Sequence, residues 1–553
     1  MRVITIRRLG WLLLLSALAV SALRGASPKP SLADRVIILA NASERESIEL
    51  AQYYAKARAI PLANVIALPM PKVETLNWPE FIQKVYQPLQ DELVKRGWID
   101  AVSSDLVDEI GRRRYVVSSH HISYLVVCRG VPLRVQHDGH LYKPAPPITD
   151  HKEFQTNQGA VDSELSLLAV PQYPISGFVM NPLFGVGHPN TFQESWVVKV
   201  SRLDGPSFES ARALVDHAIE AERFGLIGRA YVDIGGIHKL GDQWFDLAAK
   251  EIERANFDLS VDRLPTTFPR TARFDAPALY FGWYAWDVNG PFIEPGFRFP
   301  PGAVALHLHS FSATTLNETH HGWTGPLVAL GVTATVGNVF EPYLEFTHSP
   351  PILARALLRG DNWGDAVYTS VRALSWETMA IGDPLYRPFA ISFSEQWAKR
   401  DQLPDELYPY VVLRELQRLQ HQGASEEARR IADEVMSKRP SAPVALAQAQ
   451  LLAAAGDHTG ACRAAVWVTR LKKFAPTELP WALEAAQDLV ENSQTDVATD
   501  FIAGFINDPE LPTEFRDEFL NHGVLAARAS NRDDLAAKWQ ASLDAAKAAA
   551  AGK

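Results

Sequence analysis

Short apolar runs alternate with amphipathic stretches along the first two thirds of the chain. Runs such as residues 36–39 (VIIL) and 124–127 (YLVV) predict buried strands, because nearly continuous apolar residues are typical of strands covered on both faces. Residues 44–58 and 207–224 carry apolar positions at helical spacing instead. Strands that alternate with helices predict βαβ units. The pattern therefore favours an α/β domain over residues 27–395, with a mostly parallel sheet and helices on both faces.

Residues 136–194 interrupt this pattern. They are rich in proline, glycine and aromatic residues and have little periodicity, which predicts a long irregular insertion over one end of the sheet. On either side of the insertion, further strands are predicted at residues 64–68, 196–200, 230–234, 278–283, 303–308 and 333–339.

The last part of the chain, residues 396–553, has a clear helical period and many alanines. Ala428 and Ala461 follow similar glycine-containing turns and are 33 residues apart, and Ala498 and Ala536 mark possible further units. This spacing resembles the tetratricopeptide repeat, in which small residues let paired helices pack closely. A non-repetitive helical bundle is the alternative. Since helical repeats usually present a surface to other proteins, the tail predicts an envelope protein partner.

The N-terminus has the pattern of a secretory signal peptide (residues 1–26). Arg2, Arg7 and Arg8 precede an apolar run over residues 9–22, with cleavage sites at Ala22 or Ala26. The run is 14 residues long, whereas a membrane-spanning helix needs about 20. We therefore predict export to the periplasm or outer envelope and no integral membrane segment after cleavage. An uncleaved membrane anchor is the alternative.

The net charge and the two cysteines argue against some classes of function. The net charge is −10, and loss of residues 1–26, with four arginines and no acid, makes it −14. An acidic protein lacks the basic face that nucleic-acid binding requires, so we predict no nucleic-acid partner. The two cysteines, Cys128 and Cys462, lie in different predicted domains, which predicts neither a disulfide nor a cysteine-based metal site.

Candidate chemistry follows from the predicted sheet, because parallel sheets bind ligands beyond the carboxyl ends of their strands. The chain has no P-loop, G-x-G-x-x-G, H-E-x-x-H, G-x-S-x-G or C-x-x-C motif. The polar residues just after predicted strands or at their ends are therefore the candidates. The candidate catalytic residues are Asp233, Tyr284, His307, His309 and Ser310, and the candidate binding residues are Arg134, Asp162, Glu164 and Glu341.

Three of these residues allow more specific hypotheses. His307 and His309 alternate on one strand, so they point to the same face and could bind zinc with a third ligand; the alternative is a hydrogen-bonded pair in the core. Ser310 could instead act as a nucleophile, with a histidine as base and Asp287 as orienting acid. Chance proximity in sequence is the alternative to that triad.

The acids Asp162 and Glu164 have two interpretations. A helix begins at this point of the sequence, and acidic side chains near a helix N-terminus cap it and interact favourably with its dipole. The functional interpretation is a pair of ligand-contacting acids at the end of the sheet.

The second half of the α/β domain resembles the caspase/gingipain-like scaffold. The carrying residues are the consecutive strand ends at Trp283–Tyr284 and 310–312 (SFS), and the segment 381–385 (IGDPL). The resemblance implies a histidine after one strand and a cysteine after the next. Neither is present at the corresponding positions, so cysteine-peptidase chemistry, which needs a thiolate paired with an imidazole, is not expected.

Several segments together resemble an uncharacterised family of exported bacterial proteins associated with the exosortase/PEP-CTERM sorting system. The segments are 47–68 (SIELAQYYAKARAIPLANVIAL), 124–133 (YLVVCRGVPL), 161–168 (VDSELSLL), 200–206 (VSRLDGP), 302–312 (GAVALHLHSFS), 331–342 (GVTATVGNVFEP) and 381–389 (IGDPLYRPF). The resemblance implies work in the bacterial envelope and no specific reaction. A cysteine that often follows the Glu-Pro pair in this family is replaced here by Tyr343.

The sequence therefore supports two functions. The first is an exported accessory or binding protein of the cell envelope, without cysteine-peptidase activity and without a required cofactor. The alternative is a hydrolase acting on peptide or glycan through the polar residues at the carboxyl edge of the sheet.

Overall fold

A computed structural model describes residues 31–143 and 151–551. The predicted signal peptide lies outside the described residues. The strands, in chain order, are β1 (Val36–Asn41), β2 (Val65–Leu68), β3 (Thr75–Leu76), β4 (Ile99–Val107), β5 (Arg113–His120), β6 (Tyr124–Cys128), β7 (Arg134–Val135), β8 (Gly159–Ala160), β9 (Val179–Met180), β10 (Lys199–Leu203), β11 (Arg229–Asp233), β12 (Leu259–Asp262), β13 (Pro277–Gly282), β14 (Val304–His307), β15 (Ala334–Asn338), β16 (Ala373–Leu374) and β17 (Thr378–Gly382).

Helices follow most of the long strands, as the sequence pattern predicts. They are α1 (Arg45–Ala57), α2 (Trp78–Phe81), α3 (Gln87–Lys95), α4 (Val161–Leu165), α5 (Thr191–Glu194), α6 (Phe208–Phe224), α7 (Lys239–Arg254), α8 (Thr324–Ala329), α9 (Pro350–Leu358), α10 (Trp363–Ser370), α11 (Phe393–Ala398), α12 (Tyr408–His421), α13 (Ser425–Lys438), α14 (Ala442–Ala454), α15 (His458–Thr469), α16 (Leu479–Glu491), α17 (Thr495–Ile506), α18 (Thr513–Ala529) and α19 (Asp533–Ala551).

The main sheet has ten strands in the order β12-β11-β13-β14-β15-β17-β10-β6-β1-β2. Strands β12, β11, β13, β14 and β15 are parallel to one another, and so are β10, β6, β1 and β2. Between the two groups lies β17, which runs antiparallel to β15 and meets β10 at the single pair Arg202–Ile381. The carboxyl ends of both groups lie at one edge, because Arg129, just after β6, donates to Asn317, after β14, at 3.1 Å. The sheet is therefore mixed but mostly parallel, which confirms the predicted α/β class. Its strands are fully buried where the sequence is continuously apolar, as in β1 and β6.

Helices cover both faces of this sheet. On one face, α1 and α6 contribute core residues such as Leu50 and Leu214. On the other face, α3, α7 and α9 contribute Leu89, Phe245 and Leu353. Each face thus has its own apolar core, and the loops at the two edges of the sheet remain available for other roles.

The segment predicted to be an irregular insertion is only partly so. Residues 161–170 are all buried, and the helix predicted to begin at this point is α4. The description as irregular does not hold for these residues or for β8, because elements this short leave no period that a sequence window can detect. A two-stranded antiparallel sheet formed by β4 and β5 was also not predicted.

The tail beyond the sheet is helical throughout, and α12 to α19 form four successive pairs. The four alanines singled out in the sequence occupy the same place in these pairs: each is the fourth residue of the second helix and is fully or almost fully buried (Ala428, Ala461, Ala498 and Ala536). The equivalence supports a repeat rather than an irregular bundle.

The tail packs against the α/β domain beside β11 and β12. At the centre of the contact is Asp275, which is buried and accepts hydrogen bonds from Arg229, Arg273 and, from the tail, Tyr410 (3.0 Å). Arg273 also pairs with Glu484 of α16 at 3.1 Å. These contacts hold the first helix pairs against the sheet.

Candidate functional site

Loops at the carboxyl edge of the second half of the sheet enclose a pocket of about 290 Å³. Each loop follows a different strand: His238 comes after β11, Tyr284 after β13, His309 and Ser310 after β14, and Glu341 after β15. Because the carboxyl ends of parallel strands meet at one edge, residues far apart in sequence converge there. Four predicted site residues, Tyr284, His309, Ser310 and Glu341, are among the lining residues.

Aromatic side chains form much of the pocket wall. Trp283 is 3% exposed, its ring stacks on Phe245, and its Nε1 donates a hydrogen bond to Asp242 Oδ1 at 2.9 Å. Gly241 faces the indole so closely that a Cβ there would lie 1.7 Å from it, so only glycine fits. The indole is thus fixed from two sides and provides a rigid wall.

His309 has a buried ring nitrogen without a partner among the described residues. It is 3% exposed, and its Nδ1 lies 2.6 Å from the carbonyl oxygen of Ser310. A carbonyl only accepts, so Nδ1 carries the proton and Nε2 presents a lone pair. Among the described residues Nε2 has no hydrogen-bond partner. Burial lowers the pKa of His309, which keeps the imidazole neutral at pH 7.

Two aromatic rings flank the His309 imidazole. The Tyr284 ring centroid is 4.5 Å away and the Trp286 ring centroid 4.4 Å away. Trp286 is 66% exposed, so it is the part of this enclosure that solvent reaches. The unpartnered Nε2 is buried behind these rings.

The predicted serine triad is not assembled. His309 uses Nδ1 on the backbone carbonyl of Ser310 rather than on an acid. Asp287 accepts a hydrogen bond from the backbone of Gly322 and lies near His321 instead. Ser310 lines the pocket with only 8% of its surface exposed. A serine and histidine in adjacent positions, without an orienting acid, do not form the geometry that activates a serine.

His307 was predicted as a catalytic residue, and the structure contradicts this. The backbone N–H of Ala285 donates to His307 Nε2 at 2.9 Å, and Nδ1 lies 2.9 Å from the Tyr280 hydroxyl. Its ring stacks on Trp323 at a centroid distance of 3.6 Å. Burial keeps the pKa of His307 well below its usual value. His307 is a neutral core histidine, which was the stated alternative.

The structure does not support zinc bound by His307 and His309 together. Both ring nitrogens of His307 are engaged, so it has no lone pair left for a metal. Over residues 31–143 and 151–551, no group of three or more histidine, cysteine or acidic side chains is placed to hold a metal ion.

Asp233 lies behind the pocket rather than in it. It is 1% exposed, and the Tyr280 hydroxyl is 3.4 Å from its Oδ2. Asp262 is directly opposite it on the neighbouring strand. Burial, and next the charge of Asp262, raise the pKa of Asp233 to about 8. The prediction that Asp233 contacts a substrate was wrong, because it is enclosed by the ends of β11 to β13.

The acids Asp162 and Glu164 are also interior residues, which contradicts their predicted binding role. Asp162 forms a buried ion pair with Arg202 at 2.6 Å, and Arg202 is fully buried. Glu164 accepts hydrogen bonds from Ser375 (2.6 Å) and Tyr173 (3.0 Å), and burial raises its pKa to about 6. No side chain makes a capping hydrogen bond at α4, although both acids lie in its first turn, near the positive end of the helix, as the capping interpretation expected.

Arg134 does not line the pocket. It lies in β7, with its guanidinium 5.7 Å from the ring centroid of Phe340, the residue that precedes Glu341. Burial lowers the pKa of Arg134, and its Nη1 has no partner among the described residues. Its place beside the Glu341 loop makes it a neighbour of the pocket rather than a lining residue.

Sequence reasoning missed one residue that lines the pocket, Tyr343, and one buried acid near Glu341, Glu377. Tyr343 lines the pocket next to Glu341, whose Oε1 accepts from the Tyr343 backbone N–H at 3.2 Å. Glu377 is 1% exposed, and burial, with a contribution from Glu341, raises its pKa to about 8. Tyr343 belongs to a segment already singled out, so proximity to Glu341 could have indicated it. Glu377 precedes a strand, and no sequence signal marks it.

Comparison with known proteins found no matching family model, no similar curated protein and no similar solved structure. A search of the described helices for a long apolar segment found none able to cross a membrane. The site therefore has to be interpreted from its own geometry.

Proposed function

We propose that this chain is an exported protein of the bacterial cell envelope whose α/β domain binds a small ligand in the carboxyl-edge pocket. Export is supported by the basic and then apolar pattern of residues 1–22 and by the resemblance to exosortase-associated proteins. Binding is supported by a preformed pocket with aromatic walls and a few convergent polar groups, which is the usual composition of a ligand site.

One observation carries this proposal: His309 presents a buried acceptor, Nε2, that no protein donor satisfies. A buried polar atom left without a partner costs about 1–3 kcal/mol, and a ligand that donates to it recovers that cost. Glu341 is a second lining residue with acceptor oxygens. The ligand is therefore a molecule with N–H or O–H donors and an apolar face that packs on Tyr284, as a peptide segment or a saccharide has.

The strand order supports a caspase/gingipain-like ancestry for this half of the sheet. In the order β12-β11-β13-β14-β15-β17, five parallel strands are followed by an antiparallel one. On that scaffold, Trp283 or Tyr284 stands where the resemblance expects the histidine, and residues 310–312 stand where it expects the cysteine. A domain that keeps the cleft but lacks both members of the dyad fits binding better than cysteine-peptidase catalysis.

Titration of tryptophan fluorescence tests the binding proposal, since Trp283 and Trp286 flank the site. The probes are short peptides and oligosaccharides of defined sequence. We expect saturable binding that His309→Gln weakens at least tenfold, while His320→Gln, at an exposed histidine on the loop after β14, leaves it unchanged. Equal affinity of the two variants, or no saturable binding of either probe class, contradicts the proposal.

The unpartnered Nε2 also favours a second candidate, a hydrolase in which His309 acts as a general base. In that reaction a water gives one proton to Nε2 as its oxygen bonds to a carbonyl or acetal carbon of the substrate. The protonated imidazole then returns that proton to the departing amine or alcohol as its bond to the same carbon breaks. Turnover should disappear in His309→Gln without a lower melting temperature. Because burial lowers the pKa of His309, activity should persist below the usual titration range of histidine. Turnover unchanged by His309→Gln excludes this role.

We further propose that the tail binds an envelope protein partner. The tail docks on the α/β domain through Arg273–Glu484 and Tyr410–Asp275, so its remaining surface has a fixed orientation. Crosslinking in cells through a photoreactive residue at exposed Leu525 of α18 tests this. One discrete adduct is expected there and none from a matched position at exposed Leu247 of α7. Adducts from Leu247 alone contradict it.

A further inference from the structure

Three neighbouring strands of the sheet, β1, β6 and β10, begin at the same amino edge. This edge lies opposite the pocket, because the carboxyl end of β6 is on the pocket side: Arg129 donates to Asn317 at 3.1 Å, and Arg134 lies beside Phe340, just after β15. The segments that precede the three strands therefore emerge side by side. They are residues 31–35 before β1, the β4–β5 hairpin before β6, and residues 191–198 before β10. The topology thus gathers three distant parts of the chain at one edge.

Hydrogen bonds tie these segments together. Arg35 Nε donates to the carbonyl of His121 at 3.0 Å, and the N–H of Ser123 donates to the carbonyl of Arg35 at 2.8 Å. His120, the last residue of β5, places Nε2 2.9 Å from the carbonyl oxygen of Glu194. The hairpin base is thus bonded both to the start of the described chain and to the loop that carries α5.

This edge exposes large apolar side chains. Val102 and Val116 are cross-strand partners in the hairpin and are 72% and 69% exposed. Phe192 and Trp196 are 71% and 41% exposed, and their rings pack against each other at a centroid distance of 5.9 Å. We name these four residues the amino-edge surface. Exposed apolar side chains gathered at one edge of a folded domain indicate a surface that another molecule covers.

The N-terminal apolar run indicates what that partner is. Residues 9–22 have the composition of a membrane-inserting signal sequence, and the intervening residues 23–34 span at most about 45 Å when fully extended. During export, the edge at which Arg35 lies is therefore held close to the bilayer. Tryptophan and other aromatic side chains favour the boundary between lipid headgroups and acyl chains.

We propose that the amino-edge surface contacts the lipid bilayer, with the carboxyl-edge pocket facing away from it. The contact is interfacial: Val102, Val116, Phe192 and Trp196 insert at the headgroup level while the backbone stays outside the hydrocarbon. This inference rests on the export part of the proposed function and is independent of ligand binding at His309.

Flotation with vesicles of phosphatidylethanolamine and phosphatidylglycerol tests the proposal on the chain lacking residues 1–26. We expect the protein to float with the vesicles. Val102→Ser/Val116→Ser and Phe192→Ser/Trp196→Ser should each lower the partition coefficient roughly tenfold or more, because partly inserted apolar area is lost. The matched control Leu525→Ser, at a residue 56% exposed on the tail, should have no effect.

A second readout locates the contact. Brominated lipids should quench the emission of the wild type more than that of Trp196→Phe, because Trp196 is the indole at the bilayer. His309→Gln should keep full vesicle binding, which separates failure of the pocket proposal from failure of this one. Wild-type protein that stays unbound, or a dimer that Val102→Ser/Val116→Ser dissociates in the absence of lipid, overturns the proposal.

Discussion

His307 and His309 are two residues apart, yet their surroundings give them different chemistry. His307 ends β14, where the backbone of Ala285 and the hydroxyl of Tyr280 engage both its nitrogens. His309 has left the strand, and its ring sits between Tyr284 and Trp286 with one nitrogen unpartnered. Strand alternation alone could not distinguish them, because the difference lies in what the neighbouring loops bring to each ring.

Substitution should separate the two histidines. His307→Ala removes a ring stacked on Trp323 and leaves the Ala285 N–H without an acceptor, so we expect a loss of about 2–4 kcal/mol in unfolding free energy. His309→Gln removes the Nδ1 hydrogen bond to the Ser310 carbonyl but also the buried, unpartnered Nε2, so the two effects oppose each other and stability should change by less than about 1 kcal/mol. Urea unfolding of both variants measures this. A His309→Gln variant as unstable as His307→Ala contradicts the assignment.

Glu377 predicts a pH dependence of stability. Its pKa in the folded protein is raised to about 8, so the folded state holds a proton that the unfolded chain releases near its ordinary value of about 4.5. The stabilisation is therefore complete below about pH 4.5 and is lost as the pH rises to about 8. Between pH 5 and pH 9 the wild type should lose on the order of 2–4 kcal/mol of unfolding free energy as Glu377 ionises. Glu377→Gln should not show this loss, because glutamine does not titrate.

Denaturant midpoints of the wild type and Glu377→Gln at both pH values measure this effect. Glu345→Gln, at an exposed acid following Glu341, is the matched control and should keep the wild-type slope. The same pH profile in wild type and Glu377→Gln would show that Glu377 is ionised in the folded state.

At the level of elements, the long buried strands were predictable and the short ones were not. The predicted strand at residues 230–234 lies within one residue of β11 (Arg229–Asp233), because continuous apolar runs mark buried parallel strands. The strand predicted at residues 196–200 begins instead at Lys199. Trp196 and Val197 continue the apolar run but lie in the loop before the strand, so the run does not mark where the strand starts. The antiparallel direction of β17 depends on its partners in space, so local sequence does not indicate it.

The candidate site was predictable only in outline. The rule that ligands bind at the carboxyl edge correctly brought together Tyr284, His309, Ser310 and Glu341. It failed for Asp233, because a residue at the end of a strand can still point into the protein. It missed Glu377, which reaches the Glu341 region from the amino end of the antiparallel strand β17. Both errors arise from side-chain direction, which the loops determine.

The repeat alanines predict how the tail responds to larger side chains. Ala461 is fully buried at the fourth position of α15, where α14 packs against it. Ala461→Leu should therefore cost about 1–3 kcal/mol by overpacking. Ala454→Leu, at an exposed position near the end of α14, should change stability by at most about 0.5 kcal/mol. Thermal unfolding followed by circular dichroism compares them, and equal losses would argue against close packing at the repeat position.

At the scale of the whole molecule, Asp275 couples the tail to the sheet. It lies between Arg229 and Arg273 and also accepts from Tyr410 of α12, so one carboxylate joins both units. The arginine charges hold the pKa of Asp275 well below its ordinary value, despite an opposing effect of burial. The stabilisation from Asp275 is therefore present above its unfolded pKa and is lost as the pH falls below it.

Asp275→Asn should uncouple the two units. The substitution leaves the buried guanidiniums of Arg229 and Arg273 with less compensating charge, and removing one partner of a buried pair costs about 3–5 kcal/mol. We expect calorimetry at pH 7 to show one transition for the wild type and two for Asp275→Asn, because the tail separates before the sheet unfolds.

Glu514→Gln is the matched control: this acid also pairs with an arginine of the α/β domain, Arg270, but it is half exposed. An exposed pair contributes at most about 1 kcal/mol, so Glu514→Gln should keep one transition. Two transitions in the wild type would mean that the tail and the sheet fold independently, and Asp275 would then be a local ion pair of the α/β domain.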